Sequence, residues 1–309
     1  MEPLKHDEQL VSIGMPVYNG ERYIRKALDS LLEQDYEHFE FIISDNASTD
    51  STLQICREYA SSDHRISIHT QNYNAGALAN FKTVLELARG NYFMWAADDD
   101  RWLPEFISSL VKELKTHPEA GVAMCGIDRV HEDGILFDTI QFKDKDDPNN
   151  MTYYQMMKGL TSFRKYNIYI YGLFRTDLLR QAISFFPEVP GVDRLFICQM
   201  ALATRFRYVD RVLHIRMQHN QPSNIRLPDE IFNRMQEDKL VDIKILLALI
   251  NMILKSTIIP WYRKFYLPVI LWRYVWLLLQ GRFEPSIIQR VSPDIRNRLK
   301  KIKKLFLPR

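Results

Sequence analysis

The sequence predicts an α/β domain built on a mostly parallel sheet with helices on both faces, followed by a C-terminal helical region. Three observations lead there. Short apolar, partly β-branched runs recur through the first 130 residues, and stretches with helical spacing separate them. Beyond Gln221-Pro222 the alternation gives way to apolar, aromatic and finally basic segments. Strands alternating with amphipathic helices imply right-handed crossovers and parallel neighbours, because the crossover helix packs back onto a twisted sheet in that hand.

The elements come in order along the chain. LVSIGMPV (10–17), FEFIISD (39–45), RISIHT (65–70), YFMWAAD (92–98) and VAMCGI (122–127) read as buried strands, since runs apolar on both faces suit a sheet covered on both sides. Between the first two, Ile24, Ala27, Leu28, Leu31 and Leu32 lie on one face of a helix. Leu53, Cys56 and Tyr59 make a weaker stripe, and Leu78, Phe81, Val84, Leu85 and Ala88 mark a third helix. Residues 131–165 are polar and turn-rich, with KDKDDPNN (143–150) reading as a loop suited to a lid or an acceptor contact. A strand over IYIYGLF (168–174), a helix near 176–184, a helix through Leu195 to Ala203 and a strand over RFRYVDRVLHIRM (205–217) complete the domain. The division is therefore 1–221, with halves of about 1–130 and 131–221, and a helical, amphipathic and basic region over 222–309.

Composition narrows the class. A chain of 309 residues buries roughly three quarters of its unfolded surface. With 46% hydrophobic and 26% charged residues, both a disordered chain and a multispan membrane protein are excluded. Cys56, Cys125 and Cys198 are scattered and odd in number, so they read as reduced core residues rather than a metal or redox motif. MEPLKHDEQL lacks the basic start and apolar stretch of a secretory signal, and a cytoplasmic location is expected.

Charge is uneven: residues 285–309 carry eight Lys or Arg against Asp294 alone, a tail of +7 within a chain of +3, which leaves −4 for the rest. The uncharged run near 245–254 is about half the ~20 residues a span requires, and Lys244, Lys255, Arg263 and Arg273 interrupt its surroundings. Amphipathic helices lying on a membrane or on the first domain fit better than a span; a helical subdomain or dimer contact with a solvated tail is the alternative. Trp261, Tyr262, Trp272, Tyr274 and Trp276 suit a bilayer interface, so an anionic membrane surface is the expected partner of the tail and nucleic acid is not.

In open α/β sheets ligands bind outside the carboxyl ends of the strands. Here those ends run into Val17-Tyr18-Asn19-Gly20, Asp45-Asn46-Ala47-Ser48, Asn72 to Gly76 and Asp98-Asp99-Asp100. Three consecutive carboxylates repel one another unless a cation or helix terminus compensates them. Mg²⁺, which takes one or two protein carboxylates and fills its other positions with water and phosphate, is a natural partner. Solvated acidic surface is the alternative, disfavoured by the buried run YFMWAA directly before. Capping of the next helix suits Ser48 or Asn46, which leaves Asp45 to accept a hydrogen bond from a base imino group. Gly76 serves either a turn or a close backbone approach to ligand.

PVYNGERYIRKALDSLLEQ (16–34), SDNASTDST (44–52), NAGALAN (74–80) and AADDDRW (96–102) together resemble the motifs of family 2 glycosyltransferases, inverting enzymes of the GT-A fold. The resemblance runs from Val11 to about Ser223. It implies a Rossmann-like GT-A domain that moves a sugar from a nucleotide-diphosphate donor, UDP-sugar favoured, to a lipid-linked oligosaccharide or polysaccharide hydroxyl. It also implies that Pro16, Tyr18 and Glu21 line the nucleotide pocket, that Asp45 bonds the base, and that Gly76 belongs to the donor side. Asp98 would face the ribose or donor sugar and Asp99 would ligate Mn²⁺ or Mg²⁺. GVDRLF (191–196) is similar to the segment bearing the catalytic base, which falls on Asp193. His219, within RMQHNQPS (216–223), resembles a histidine that contacts metal or diphosphate.

Two departures stand out. Ala97 replaces the aspartate that usually opens the metal motif, so metal binding rests on Asp99 with His219; Asn46 replaces a second aspartate of the nucleotide motif. The chemistry agrees with the resemblance, because inversion needs a base for the acceptor hydroxyl and a cation against the departing diphosphate. A sugar nucleotidyltransferase is a rival reading, but MPVYNGERY offers no glycine-rich phosphate cradle. An inactive scaffold that grips membranes is another, against which Asp45, Asp98, Asp99 and Asp193 argue. The enzyme is expected at the inner face of the plasma membrane as a peripheral protein; no motif sets its oligomeric state.

Overall fold

Nine strands form one mixed sheet across the residues described by this computed structural model, which are 9–153, 155, 156, 166–184, 189, 192–219 and 241–272. They are β1 (Val11–Val17), β2 (Phe39–Asp45), β3 (Ile66–Thr70), β4 (Tyr92–Trp95), β5 (Arg101–Trp102), β6 (Ala120–Val130), β7 (Leu136–Ile140), β8 (Leu173–Arg175) and β9 (Arg205–Met217). Their order is β3-β2-β1-β4-β8-β6-β9-β5, with β7 paired to β6. The run β3-β2-β1-β4 is parallel, as the βα alternation requires, and so is β6 with β9. Antiparallel pairs β4–β8, β8–β6, β6–β7 and β5–β9 make the remaining half mixed.

Helices α1 (Ile24–Leu32), α2 (Thr52–Ser62), α3 (Ala77–Leu87), α4 (Phe106–Thr116), α5 (Thr176–Ile183), α6 (Val192–Ala203) and α7 (Val241–Lys255) accompany the sheet. The stripe on α1 is buried at Ile24, Ala27, Leu28 and Leu31. Helix α4 buries Phe106, Ile107, Leu110, Val111 and Leu114, a helical spacing in a stretch to which the sequence reading assigned no element. All three cysteines are free and buried, and burial pushes each thiol up to about 12.

Two expectations are corrected. IYIYGLF is not one strand: a 3₁₀ helix spans Tyr166–Tyr171 and β8 begins only at Leu173. Ile168, Tyr169 and Ile170 are all buried in succession, and an apolar run without alternation does not distinguish a buried strand from a buried helical turn. Strand β4 ends at Trp95, so the acids at 98–100 sit in a turn rather than directly on the strand.

Residues of α7 and the stretch up to Ile270 pack on α6. Leu195 and Leu202 of α6 share an apolar cluster with Leu249, Met252 and Ile253 of α7 and with Ile259 and Ile270. Gln199 donates to Ser256 Oγ at 3.0 Å, and Arg263 donates to the carbonyls of Leu202 and Ala203 at 2.9 and 3.1 Å. Those are among the carbonyls that a helix end leaves without partners. Among the described residues no helix is long and apolar enough to cross a membrane. The expected boundary at 221, Arg273, Tyr274, Trp276 and the basic tail at 285–309 lie outside the described residues.

At the amino ends of the strands, buried Glu40 ties β2 to β1 and to the turn before β4. Ser12 Oγ donates to it at 2.6 Å, and Arg89 donates from its backbone at 2.6 Å and its Nε at 2.8 Å. Burial by itself would raise this carboxyl, but the Ser12 hydroxyl and the Arg89 donors outweigh burial and hold it below its ordinary value. Glu40 therefore contributes stability that is complete above the unfolded carboxyl's ordinary range, near 4.3, and that fades as pH falls through its lower folded value. Glu40→Gln is expected to cost about 2 kcal/mol at neutral pH. Urea unfolding from pH 7 down to pH 3 checks it: the gap between parent and variant should narrow on the acid side.

Candidate active site

Register brings the carboxyl ends of three strands level, Val17 beside Asp45 and Asp45 beside Thr70. Asn80 of α3 bridges them, donating to the Ser44 carbonyl at 2.9 Å and the Val17 carbonyl at 3.4 Å. Asn46 joins the next loop: its Nδ2 donates to Asn74 Oδ1 at 2.8 Å and its Oδ1 accepts the Ala75 N–H at 2.9 Å. An ionised aspartate could accept here but not donate, which is a structural reason for asparagine at this position. Gly76 comes next with φ +87° at the start of α3, a backbone conformation that favours glycine.

The first and second loops are knitted together. The Asn19 N–H donates to Ser48 Oγ at 3.0 Å, the Thr49 N–H to Asn19 Oδ1 at 2.9 Å, and the Gly20 N–H to Thr52 Oγ1 at 2.7 Å. Neither Ser48 nor Asn46 caps α2, contrary to expectation. Glu21 accepts the Ser51 N–H at 2.8 Å and Asp50 accepts the Thr52 N–H at 3.0 Å, so these two carboxylates satisfy the amides at the start of the helix. Glu21 thus braces the loop. Pro16 is half-buried in β1 beside Ser44, and Tyr18 is exposed.

Asp45 is 1% exposed. Its Oδ2 accepts the Ser48 N–H at 3.2 Å, while Oδ1 is buried with no hydrogen-bond partner among the described residues. Leaving a buried acceptor unsatisfied costs about 1–3 kcal/mol, and more when it is charged. Such an atom at a strand's carboxyl end is suited to a ligand's N–H donor.

The three acids after β4 have three separate settings. Asp98 is buried against the first loop: a Cβ on Gly20 would lie 2.2 Å from Asp98 Oδ2 and 2.9 Å from Val17 Cγ2, so a side chain there would displace Asp98. Asp100, 2% exposed, meets His214 Nε2 at 2.9 Å and accepts the Met217 N–H at 3.0 Å. His214 is fully buried and stacked on Trp102, 5.3 Å between rings. Asp99 Oδ2 lies 2.6 Å from His219 Nε2, and the other ring nitrogen of His219 faces Glu132 Oε1 at 3.3 Å. Two of the three carboxylates thus meet histidines, one from β9 and one from the residues just after it.

Arg216, two residues beyond His214, lies 5.4 Å from the Tyr171 ring. Burial pushes the Tyr171 phenol up to about 12, with Asp100, Asp99 and Asp193 adding to the rise. Burial opposes the charge on Arg216, yet Tyr171 and the same three carboxylates keep its guanidinium above the ordinary value. Asp193, in the first turn of α6, thus shares one electrostatic neighbourhood with Asp99. The helix N-terminus there favours a carboxylate. Tyr171, Arg216 and Glu132 were missed by sequence reasoning; the available signal was His214 and Arg216 at alternate positions of a strand, which puts a histidine and an arginine on one face.

Among the described residues no group of three or more His, Cys, Asp or Glu side chains could hold a metal. Asp99 and His219 offer one oxygen and one nitrogen, a donor set that fits a cation completed by water and phosphate oxygens.

The family model described as glycosyl transferase family 2 matches residues 12–181. The chain is 36% identical over 104 residues to the glycosyltransferase GlyA of Streptococcus pneumoniae, covering 34% of this chain and 15% of that protein. It is 33% identical over 152 residues to a putative teichuronic acid biosynthesis glycosyltransferase, TuaG of Bacillus subtilis, covering 48% of this chain and 58% of TuaG. The chain therefore spans less than two thirds of the length of either relative. Among solved structures, S. aureus TarS 1–349 in complex with UDP-GlcNAc is similar with a TM-score of 0.61 at 21% identity, covering 94% of this chain and 83% of that one. The mannosyltransferase PcManGT of Pyrobaculum calidifontis, solved with GDP-Man and Mn²⁺, gives 0.52 at 17% identity, covering 97% and 88%. At these identities the structures establish the shared fold.

Because Asp100 and His214 are both buried, removing one leaves the other without its partner. Asp100→Ala is expected to destabilise the chain by about 3–5 kcal/mol, visible as a lowered midpoint in thermal or urea unfolding. A change below about 1 kcal/mol, the scale of a surface pair, would mean that the contact does not anchor the turn.

Proposed function

The chain belongs to glycosyl transferase family 2, and from that premise we propose that it transfers a sugar from a nucleotide-diphosphate donor to an acceptor hydroxyl, with inversion at the sugar carbon. The observation that carries this reading is the Asp99–His219 pair, 2.6 Å apart at the carboxyl end of the parallel strands. The Asp45 Oδ1 atom, without a partner among the described residues, supports it on the nucleotide side. Asp45 accepts an N–H of the base, Pro16 and Tyr18 border the nucleotide, and Gly76 keeps backbone close to it. Asp98, held against Gly20, receives a hydroxyl of the ribose or donor sugar. A UDP-sugar is the favoured donor, in line with the UDP-GlcNAc bound by TarS; GDP-mannose in PcManGT is the other class to test.

Asp99 and His219 are the residues that would hold Mn²⁺ or Mg²⁺, and the bound ion supplies positive charge against the departing diphosphate. Asp193 takes the proton of the acceptor hydroxyl. A lipid-linked oligosaccharide or polysaccharide is the proposed acceptor, a class consistent with the teichuronic acid role in the name of TuaG. The chain meets that acceptor at the cytoplasmic face of the membrane. Trp261 and Phe265 are each 73% exposed, with Tyr262 and Trp272 exposed nearby, and the sequence adds the basic tail at 285–309. Aromatic side chains favour the headgroup level, and each basic residue adds about 1 kcal/mol near anionic lipid.

Calorimetric titration with UDP, GDP, dTDP, CDP and ADP, each with and without Mn²⁺, tests the donor site. One nucleotide is expected to bind more tightly with Mn²⁺, and Asp99→Ala should remove that enhancement. Asp193→Asn should keep this binding while turnover falls by about 10²- to 10⁴-fold; near-parental turnover would remove Asp193 as the base. Failure of all five nucleotides to bind would favour the inactive scaffold, and release of pyrophosphate rather than nucleoside diphosphate would favour a nucleotidyltransferase.

For the membrane reading, flotation with phosphatidylserine vesicles should carry the parent chain upward. Deletion of 285–309, or Trp261→Ser with Phe265→Ser, should leave it in the soluble fraction. Flotation indifferent to both changes would remove the bilayer as partner.

A further inference from the structure

His219 lies just after β9 in a segment without regular structure, so nothing in its own backbone geometry aims the ring. Three separate parts of the chain surround it. Asp99 Oδ2 meets Nε2 at 2.6 Å, Glu132 Oε1 faces Nδ1 at 3.3 Å, and the Tyr23 ring lies 5.5 Å away. Glu132 belongs to the turn between β6 and β7, where the Gly134 N–H returns to the His131 carbonyl at 2.9 Å and the His131 N–H reaches the Ile135 carbonyl at 2.8 Å. The same hairpin holds the approach to His219, because the Gln218 N–H donates to the Val130 carbonyl at 2.7 Å. Glu132 is also fixed from the other side: Arg22 donates to its Oε2 at 2.8 Å, and the Arg22 guanidinium lies 5.0 Å from the Tyr23 ring.

We propose that Glu132 is a positioning residue, which accepts the Nδ1–H of His219 and thereby presents Nε2 to the cation, so that the β6–β7 turn forms the outer wall of the metal site. This rests on the reading of Asp99 and His219 as metal ligands. An imidazole binds a metal through one nitrogen, and a carboxylate on the other nitrogen sets the tautomer, orients the ring and strengthens it as a ligand. Stability is a weaker reason for the arrangement. The Arg22–Glu132 and Glu132–His219 pairs are partly exposed, and pairs of that kind contribute little to folding. Substitutions at Glu132 should therefore leave the fold intact while changing how His219 is held.

The test uses the full chain with Mn²⁺ as the probe, alone and with whichever of the five nucleoside diphosphates binds, monitored by the paramagnetic resonance signal of free Mn²⁺. Glu132→Ala is expected to weaken Mn²⁺ binding by about 10- to 100-fold with nucleotide affinity in the absence of metal unchanged. Glu132→Gln should recover part of the loss, since its amide oxygen still accepts from Nδ1. In a His219→Ala background, Glu132→Ala should cost nothing more. The proposal is overturned if Glu132→Ala binds Mn²⁺ like the parent while Asp99→Ala does not, or if it weakens binding equally with and without His219. A parent chain that binds no Mn²⁺ would overturn the metal reading itself, and the role of Glu132 with it.

Discussion

The contact between Asp100 and His214 is the constraint on which the arrangement of the site depends. The chain leaves β4 in the middle of the sheet and enters β5 at its far edge within six Cα steps, a reach of at most ~21 Å. Four interstrand gaps on a flat sheet would already need ~19 Å, yet the segment also turns at Asp98 and Asp99. The sheet must curl, and β5 accordingly lies against α1, with the Trp102 N–H on Ser30 Oγ and Gln34 on the Leu103 carbonyl. Asp100 closes that curl by holding the His214 ring and the Met217 N–H of β9. Once it does so, Asp99 has little choice but to face the residues just past the end of β9, and His219 is among them.

A second set of contacts builds the other wall. Asn80, Asn46 and Glu21 engage backbone groups of neighbouring loops, while Asp45 retains an oxygen without a partner among the described residues. Polar side chains that satisfy backbone fix loop geometry; the one left unsatisfied is where a ligand gains most from binding. The contrast separates groups that brace the loops from the group proposed to bind, among side chains that look alike in sequence. Glu21 and Asp45 are both acids at the head of a loop, and only their hydrogen-bond partners tell them apart.

This is also why some of the molecule was legible in its sequence and some was not. Strands β1, β2 and β4 were legible because burial on both faces leaves unbroken apolar runs, and α1 because its stripe keeps to one face; the edge strand β3, expected to be buried, buries only Ile66. The two-residue β5 and the exposed edge strand β7 carry no such imprint. The segment at 166–171 misled because a buried 3₁₀ turn is as apolar as a strand. At the site, the motifs marked the acids and His219, the partner of Asp99, but not His214, the partner of Asp100. Pairing of Asp100 with His214, or of Asp193 with the surroundings of Arg216 and Tyr171, depends on a curl of the sheet that no local pattern encodes.

Helix α6 connects the two proposed surfaces. Asp193 lies in its first turn, while the carbonyls of Leu202 and Ala203 at its other end are bound by Arg263. Arg263 belongs to the 3₁₀ helix Trp261–Tyr266, the one that exposes Trp261, Tyr262 and Phe265. A helix of 12 residues is a rod of ~18 Å, and packing against α7 along its length keeps it from tilting independently. On the membrane reading, the aromatic surface and the base are therefore the two ends of one rigid element. The height at which an acceptor hydroxyl can be deprotonated above the lipid is then set by the helix rather than by a flexible tether. That geometry suits an acceptor whose reactive sugar stands clear of the headgroups, as the end of a lipid-linked glycan does, better than one buried among them.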